Sequence, residues 1–537
     1  MTSESASESA PAADDARERR QLTRRAGLVA AGTLASRVLG AARDAVIAAF
    51  FSVAATDAFW LAFTIPNALR GLLGEGAVSA AFVPVLTDVR AKEGVDAARA
   101  YYARLQGVML LVLGGVSLLG VVGAPLLVDA YASGFRADPE LRETTITLTR
   151  WVFPYIAFMG VAALLTGALH AHGQFLAPAF APIWLNVALV AAAVALPSAL
   201  AAAGHDPVLA LAIGALAGGV LQVLAQLRAY RKLGYPILPR FSLDPHVRRS
   251  LVLLVPLLAG LGVYQLNLVL SRQLASYLPT GALSYLFYAQ RLVEIPQGMF
   301  ALAIGTASLP ALSGLASRGD VEGAKRLFRD GLRLSLFVAV PSSVLLAVLA
   351  EPTVSAILGR GRFGAEQIHE TTRALVALAA GIWAVASVRT CVPMFHAFGE
   401  TRTPVLASLL NLVVFVALGV TLTEPLGHAG IAVAISAAST VQLVALVLLL
   451  RRKVGSLGLG EIASSAGRTL LASLAMAAVG WPFRSLVDWQ AGGTLVASLT
   501  FVGATVACGL AFVIVAYAVR SRELHDVLGA LRRRVRR

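Results

Sequence analysis

Long apolar runs separated by short polar loops fill almost the whole chain. A run of about 20 apolar residues is long enough to cross a bilayer as a helix, whereas the strands of a membrane barrel alternate apolar and polar residues. The pattern therefore predicts an all-α, polytopic membrane protein with about fourteen transmembrane helices. Their approximate cores are residues 27–51, 57–88, 97–130, 142–170, 178–202, 207–230, 247–276, 281–315, 323–350, 366–397, 403–423, 428–450, 462–486 and 492–519.

Basic residues gather in alternate loops and in both tails. The loop after the second predicted span carries Arg90, Lys92 and Arg99, and the chain ends in LRRRVRR. By contrast, the loop SVAATD between the first two spans has no Lys or Arg. Because cytoplasmic loops of membrane proteins are rich in these residues, the distribution predicts an even number of spans with both termini in the cytoplasm.

Charge and cysteine content narrow the class of protein further. The chain is 57% hydrophobic and 14% charged, against roughly 25% charged in soluble proteins. A net charge of +15 would suggest nucleic-acid binding in a soluble domain, but charges confined to loops are better explained by membrane orientation, so no nucleic-acid partner is expected. Cys391 and Cys508 lie far apart in apolar runs and predict neither a disulfide framework nor a metal-ligand spacing.

An internal repeat divides most of the chain into two similar parts. The segment PVLTDVRAKEGVDAARAYYARL from Pro84 matches PALSGLASRGDVEGAKRLFRDGL from Pro310, an offset of 310 − 84 = 226 residues, and the same offset pairs His170 with His396. Six predicted spans separate the copies, so both copies have the same orientation and are expected to enclose a central cavity. The predicted parts are a disordered cytoplasmic tail at 1–25, a first six-helix lobe at 26–234, a second at 235–455, two further helices at 456–520 and a basic cytoplasmic tail at 521–537.

Three arginines, Arg37, Arg70 and Arg291, lie near the middle of predicted spans. At a rise of about 1.5 Å per residue they are roughly 15–20 Å deep in a hydrocarbon core about 30 Å thick. Each charge there costs about 2.5–3.5 kcal/mol. Arginine donates two parallel hydrogen bonds to phosphate and keeps its proton. The pattern therefore favours a water-filled cavity that binds an anionic, phosphate-bearing substrate.

Ion pairing is the alternative explanation for any single one of these arginines. Asp44 is seven residues from Arg37 and shares its helix face, and Glu294 lies three residues from Arg291. Arg43 is six residues from Arg37, about 120° around an ideal helix. Arg43 reaches the same cavity only if the helix bends or its long side chain reaches round.

Prolines and amides inside the spans leave further alternatives open. Pro66-Asn67 and Pro296 could form hinges at a site or static kinks. Asn411 could join helices by a hydrogen bond or coordinate an ion.

The sequence contains no Walker motif, no HExxH and no G-x-S-x-G. We therefore expect a transporter driven by a coupled ion or by membrane potential, rather than an enzyme or an ATP-driven pump.

Two segments carry the most specific strings of the chain. Residues 36–86 read SRVLGAARDAVIAAFFSVAATDAFWLAFTIPNALRGLLGEGAVSAAFVPVL, and residues 284–313 read SYLFYAQRLVEIPQGMFALAIGTASLPALS. Both closely resemble the MurJ/MviN family of lipid II flippases, in the multidrug/oligosaccharidyl-lipid/polysaccharide exporter superfamily. The resemblance implies movement of lipid II, the undecaprenyl-pyrophosphate-linked disaccharide-pentapeptide, from the inner to the outer leaflet of the bacterial plasma membrane for peptidoglycan synthesis. It also implies that the last two helices form a groove for the lipid tail.

The resemblance also suggests roles for individual residues. The substrate-binding arginines would be Arg37, Arg43, Arg70 and Arg291. The supporting or gating residues would be Asp44, Asp57, Asn67, Ser284 and Glu294. Thr64 stands where family members often carry Lys, which would leave the cavity one positive charge poorer. No cofactor is expected; the energy source would be Na⁺ or H⁺ coupling or the membrane potential, and the partners would be lipid II, membrane lipids and cell-wall synthesis proteins.

Three other functions remain open at this point. The chain could export another lipid-linked oligosaccharide, or exchange drugs for cations like other members of the superfamily. A cation antiporter would need intramembrane carboxylates, and the excess of arginine argues against it. A non-transporting scaffold of cell-wall synthesis would tolerate alanine at Arg37, Arg70 and Arg291.

Overall fold

The computed structural model describes residues 32, 34–74, 77–236, 238–300 and 306–535, with the side chains at 69–80, 255–264, 298–310, 527 and 530–535 outside that description. The described residues form helices joined by short turns, without a strand. The α-helices are α1 (34–50), α2 (Val53–Gly74), α3 (Ala77–Glu93), α4 (Val95–Val122), α5 (Ala124–Tyr131), α6 (Pro139–Val152), α7 (Tyr155–Ala171), α8 (Leu176–Ala195), α9 (Pro197–Ala202), α10 (Leu209–Arg231), α11 (Pro245–Ser276), α12 (Ala282–Phe300), α13 (Thr306–Ser317), α14 (Val321–Val348), α15 (Ala350–Leu358), α16 (Ala365–Ala379), α17 (Ile382–Ala397), α18 (Arg402–Leu426), α19 (His428–Val454), α20 (Leu459–Gly480), α21 (Leu495–Ala518) and α22 (Arg522–Val535). Short 3-10 helices cover Ser133–Ala137, Trp481–Arg484 and Trp489–Ala491.

Ten helical segments within the described ranges are long and apolar enough to cross a membrane. They are Val95–Val122, Pro139–Ala171, Leu176–Ala195, Leu209–Arg231, Val321–Val348, Ala365–Ala397, Arg402–Leu426, His428–Val454, Leu459–Arg484 and Leu495–Ala518. Each overlaps one predicted span, which confirms the all-α, multi-span membrane fold. The other predicted cores fall on α1, α2 with α3, α11, and α12 with α13, which contain or adjoin positions outside the description, so the total of fourteen stays a prediction.

The internal repeat is confirmed by the helix boundaries. The offset of 226 residues recurs in the starts and ends of α4 and α14 (321 − 95 and 348 − 122), in the starts of α5 and α15 (350 − 124), and in the starts of α8 and α18 (402 − 176). Two sequences that share only scattered identities therefore fold into the same succession of long and short helices. Apolar length and turn positions, rather than particular side chains, carry this information.

The repeat also includes an interruption that hydropathy does not reveal. The spans Pro139–Ala171 and Ala365–Ala397 are each broken in the middle, between α6 and α7 and between α16 and α17. Pro154 sits in the first break, where it lacks a backbone N–H and disfavours helical backbone in the residue before it. Gly381 sits in the second, where a Cβ would lie 2.5 Å from Ser436 Oγ of α19. The two copies thus reach one geometry by different local means.

Glycines with left-handed backbone end the equivalent helices α7 and α17. Gly173 and Gly399 have φ of 70° and 69°, and their N–H groups donate to His170 O and His396 O at 2.9 and 3.0 Å. The following residue in each copy donates to the carbonyl five positions earlier, which completes a Schellman motif. His170 and His396 therefore occupy the same place in two helix ends.

Gly399→Ala is expected to lower the free energy of unfolding by about 1–2 kcal/mol, because an L-residue is strained at this φ. No atom lies within 4 Å of the position that its Cβ would take, so the effect comes from the backbone alone. Gly114→Ala in the interior of α4 is the matched control, since that position is equally open and the substitution should stabilise the helix by about 0.5–1 kcal/mol. Thermal unfolding in detergent measures both; destabilisation of equal size at the two sites would contradict this account.

The chain packs into two compact units. The first takes its described residues from Met1–Arg43, Ala62–Leu127 and Ile146–Leu261, and the second from Asp44–Leu61, Val128–Thr145 and Gly262–Arg537. The short segments Asp44–Leu61 and Val128–Thr145 thus belong to the second unit, although the sequence repeat places them in the first predicted lobe. The compact units are defined by which residues pack together, whereas the predicted lobes were defined by the sequence repeat. The two divisions do not test each other, so the predicted lobe boundary between 234 and 235 stays a prediction.

A buried carboxylate, Glu523, anchors the C-terminal helix α22 within the second unit. Glu523 is 5% exposed and accepts hydrogen bonds from Arg333 Nε and Nη2 at 2.8 and 2.6 Å, and from Ser465 and Ser521 Oγ at 2.7 and 2.8 Å. Burial alone would raise the pKa of Glu523, but the hydrogen bonds from Ser465, its own backbone amide, Ser521 and Arg333 lower that pKa to about 2. The charged carboxylate therefore ties α22 to α14 and α20 at neutral pH.

Candidate functional site

Arg291 is held on α12 by two carboxylates of the second unit. Its Nε donates to Asp44 Oδ2 at 3.0 Å and its Nη1 to Glu294 Oε2 at 2.7 Å, and its guanidinium lies 5.7 Å from the centroid of the Phe287 ring. The Asp44 side chain is 2% exposed, whereas those of Arg291 and Glu294 are 36% and 42% exposed. A buried acid thus fixes the arginine on one side while part of its side chain stays accessible. Such an arginine can bind an anion without first being ordered.

The beginning of α2 is bonded to the beginning of α12 in the same unit. Asp57 is 1% exposed; its Oδ2 accepts from Gly281 N at 2.6 Å and its Oδ1 from Ser284 N at 2.7 Å. These N–H groups belong to the first turn of α12, where a helix leaves donors unsatisfied and favours negative charge. Thr56 Oγ1 and Ser284 Oγ share a further hydrogen bond of 2.8 Å. Asp57 and Ser284, predicted as supporting residues, are thus direct partners.

Aromatic packing continues this contact one turn further along both helices. The Trp60 and Phe287 rings stack with centroids 3.8 Å apart, and Trp60 meets Tyr288 edge-on at 6.1 Å. Spacings of three and four residues place these side chains on one face of each helix. We call the contacts of Thr56, Asp57 and Trp60 with Gly281, Ser284 and Phe287 the clamp.

Asp57→Asn is expected to lower the free energy of unfolding by about 1.5–3 kcal/mol, because the amide keeps one acceptor and turns a donor toward a buried N–H. Thr56→Val, which removes the bond with Ser284 Oγ and the bond that Thr56 Oγ1 donates to Val53 O, should cost about 1 kcal/mol. Thr87→Val is the control, since the exposed Thr87 hydroxyl bonds only carbonyls of its own helix. The measurement is thermal unfolding in detergent; an Asp57→Asn protein as stable as the control would show that the carboxylate does not hold α12.

Arg43 lies in the first unit and points away from solvent. Arg43 is 3% exposed, and its Nη1 donates to Asn186 Oδ1 of α8 at 3.1 Å. The amide of Asn186 in turn donates to Ser36 O of α1 at 3.1 Å. One asparagine thus joins α8 to two points of α1. Arg43 is buried in this conformation, and its predicted contact with substrate stays a prediction.

The remaining predicted residues are placed less fully. Arg37 is exposed on α1. Arg70 lies in α2, with its side chain outside the described atoms. Asn67 is half-buried, and Thr64, in the place of the family lysine, is buried. Both α2 and α12 continue through their prolines without ending.

Arg389 is a charged residue that the sequence analysis did not identify as a candidate. It lies eight residues before the end of the apolar span Ala365–Ala397 and is exposed, with Nη2 3.5 Å from Gln297 Oε1 of α12. Its depth in an apolar run is the same signal that identified the other arginines. The candidate ion ligand Asn411 accepts a hydrogen bond from Asn267 at 3.3 Å, a helix–helix contact. Over the described part of the chain, no group of three or more His, Cys, Asp and Glu could hold a metal ion.

Comparison with known proteins places the chain in a family. The model of the family described as lipid II flippase MurJ matches residues 46–500. A lipid II flippase MurJ from Burkholderia cenocepacia is 36% identical over 411 residues, which cover 75% of this chain and 78% of that protein. A probable lipid II flippase MurJ from Vibrio cholerae is 32% identical over 486 residues, covering 89% and 92%.

Solved structures support the same fold. A lipid II flippase MurJ in an inward closed conformation superposes with a TM-score of 0.74 at 22% identity, over 91% of this chain and 98% of that one. A multidrug resistance MATE family transporter of the MOP superfamily, in an inward-facing conformation, gives 0.68 at 14% identity, over 78% and 95%. At these identities the structures establish the fold, and the sequence matches establish the family. The chain belongs to the lipid II flippase MurJ family.

Proposed function

We propose that this multi-pass bacterial membrane protein moves lipid II from the inner to the outer leaflet. Membership of the family supports the activity, and the geometry of Arg291 supports the mode of binding. Arg291 is partly exposed and oriented by the buried Asp44, so its accessible side can receive the pyrophosphate. A charged side chain in an apolar span is energetically unfavourable, and binding of an anionic ligand explains why it is retained.

Arg37 and Arg70 are proposed as further ligands of the pyrophosphate. Arg37 is exposed on α1 and Arg70 lies in α2. Arginines bind phosphate oxygens in pairs of parallel hydrogen bonds. In this proposal the lipid tail stays in the bilayer beside α20 and α21.

The clamp is proposed as the outer closure of the transport path. In the predicted topology the beginning of α12 faces the outside, and Asp57, Thr56 and Trp60 hold that end of the helix. Opening toward the outer leaflet would break these contacts, and closing would restore them. Alternating access of this kind is common to transporters with parallel repeats.

Several finer points belong to the same proposal. Both termini are placed in the cytoplasm by the distribution of Lys and Arg. Coupling to Na⁺ or H⁺, or response to the membrane potential at about 2.3 kcal/mol per charge per 100 mV, supplies the energy. Cell-wall synthesis proteins are proposed as partners.

Outer-leaflet lipid II in cells depleted of their own flippase tests the proposal. Expression of this chain should restore exposure of lipid II, whereas Arg37→Ala and Arg70→Ala variants at equal membrane levels should not. Arg402→Ala, which removes an exposed cation at the start of α18, is the matched control and should restore it. No restoration by the unaltered chain would overturn the proposed substrate, and full restoration by both arginine variants would overturn the proposed mode of binding.

A further inference from the structure

Arg389 has no carboxylate partner among the described residues. Its one hydrogen bond there is to the neutral Gln297, at 3.5 Å. An arginine in an apolar span without an acid is costly and requires another explanation. The Arg389 side chain either faces lipid, with its guanidinium extending to the membrane interface, or faces water.

The exposure of its own helix decides between lipid and water. In α17, from Ile382 to Ala397, the exposed positions are Arg389 and His396, seven residues apart and therefore on one face. A larger share of the span that contains α17 is buried than of α18. Between residues 403 and 416 of α18 the exposed side chains are large and apolar, among them Leu406 and Val413 at 63% and 64% exposure, as expected of a surface that faces lipid. A narrow exposed face that is wholly polar fits contact with water instead.

Arg389 also reaches the helix that carries Arg291. Gln297 lies six residues after Arg291 on α12, about 9 Å further along the helix axis and about 120° around it, so the two are joined on the surface of α12 only through a residue between them. Glu294 lies between them and is 42% exposed. Residues Arg291, Glu294 and Gln297 of α12, with Arg389 of α17, thus form one accessible polar strip within the second unit, which we call the polar strip. In the predicted topology Arg389 is at its cytoplasmic end.

We propose that Arg389 is a second phosphate-binding arginine of this unit, which contacts the diphosphate of the lipid-linked substrate on the cytoplasmic side of Arg291. The inference rests on the proposed function and adds a residue to it. Gln297 orients the Arg389 guanidinium when no substrate is bound. Phosphate oxygens then replace Gln297 as the hydrogen-bond acceptor, because a charged acceptor forms the stronger hydrogen bond. Arg389 thus receives the anion first, and Arg291 holds it deeper in the membrane.

Binding of undecaprenyl pyrophosphate to the purified full chain in lipid nanodiscs tests the inference. This probe carries the diphosphate without sugar or peptide, and native mass spectrometry reports its dissociation constant. Arg389→Ala should weaken binding by about 10- to 100-fold, the loss expected for a charge-assisted hydrogen bond. Arg389→Gln removes the charge but can still contact Gln297. It should show the same loss of affinity, and it replaces the alanine variant if that variant does not fold. Arg389→Lys should recover part of the affinity, and Arg402→Ala should bind as the unaltered chain does.

The outcomes separate this inference from the proposed function. If the unaltered chain binds no undecaprenyl pyrophosphate and exposes no lipid II, the proposed function itself fails. If it binds and flips while Arg389→Ala and Arg389→Gln bind equally well, the inference is wrong and the proposed function stands. If the Arg389 variants flip lipid II more slowly but bind undecaprenyl pyrophosphate normally, Arg389 acts in the conformational change. If they bind lipid II more weakly but undecaprenyl pyrophosphate normally, Arg389 contacts the sugar or the peptide. Either result overturns the phosphate contact.

Discussion

Arg291→Met combined with Asp44→Asn is expected to reduce flipping of lipid II on the order of 100-fold, the loss of charge-assisted hydrogen bonds to the substrate, while leaving the protein folded. Arg291→Met alone removes the positive charge and leaves Asp44, which is 1% exposed, without this partner. A buried charge that loses its partner destabilises a protein by about 3–5 kcal/mol, so the single variant confounds folding with transport. The double variant removes both charges and should recover the stability. The measurements are thermal unfolding in detergent and lipid II flipping in reconstituted vesicles.

The double variant separates two roles of Arg291. If the arginine serves only to neutralise Asp44, then removing both charges restores flipping together with stability. If it binds pyrophosphate, stability returns and flipping does not, because the anion still lacks its ligand. Arg373→Ala is the matched control, since Arg373 also pairs with a glutamate, Glu370, at 2.8 Å in the same unit but lies outside the polar strip. A double variant that transports normally would contradict the substrate-binding role.

Much of the fold was predictable because apolar length is a property of each segment by itself. The repeat at 226 residues was visible in two short strings and recurs in helix boundaries such as those of α4 and α14. The breaks within Pro139–Ala171 and Ala365–Ala397 were not predicted. Hydropathy averages over about 19 residues, so a turn of two residues inside an apolar run leaves no trace in it.

The candidate site was predictable by residue type but not by partner. Asp44 shares a helix face with Arg37, yet its carboxylate accepts a hydrogen bond from Nε of Arg291, 247 residues away. Arg43, whose contact with substrate stays a prediction, donates a hydrogen bond to Asn186 of another helix. Periodicity orders the residues of one helix and says nothing about the helix that packs against it. Long-range pairs of this kind follow only from the folded chain.

Asp57 shows the same limit with a different residue type. Its resemblance to a family position suggested a supporting role, and its carboxylate accepts two backbone N–H groups at the start of α12, more than 220 residues along the chain. Backbone donors have no sequence signal of their own, since every residue except proline carries one. The role of Asp57 as a cap of another helix can therefore be recognised only in the folded structure.

Arg333→Ala is expected to lower the free energy of unfolding by about 3–5 kcal/mol, because it leaves the buried Glu523 without a cation. Glu523→Ala should cost less, since Arg333 can turn toward Asp330, whose Oδ1 is already 3.8 Å from its Nη1. Arg333→Met with Glu523→Leu should recover most of the loss, because apolar side chains of similar volume often replace a buried ion pair without penalty. Thermal unfolding in detergent gives the order of the variants, and protease sensitivity of α22 shows whether the helix detaches. Equal losses from all three variants would contradict a paired charge.

The acid dependence of the same pair has a predictable sign. The pKa of Glu523 in the folded protein is about 2, below the value of about 4.3 in an unfolded chain. Its contribution to stability is therefore fully present above the unfolded pKa and is lost as the pH falls through the folded pKa. The difference in melting temperature between the unaltered chain and Glu523→Gln should be largest at pH 6–7 and should shrink toward pH 3. A difference that stays constant over this range would mean that Glu523 stabilises the C-terminal helix through its shape and neutral hydrogen bonds, and that its charge does not matter.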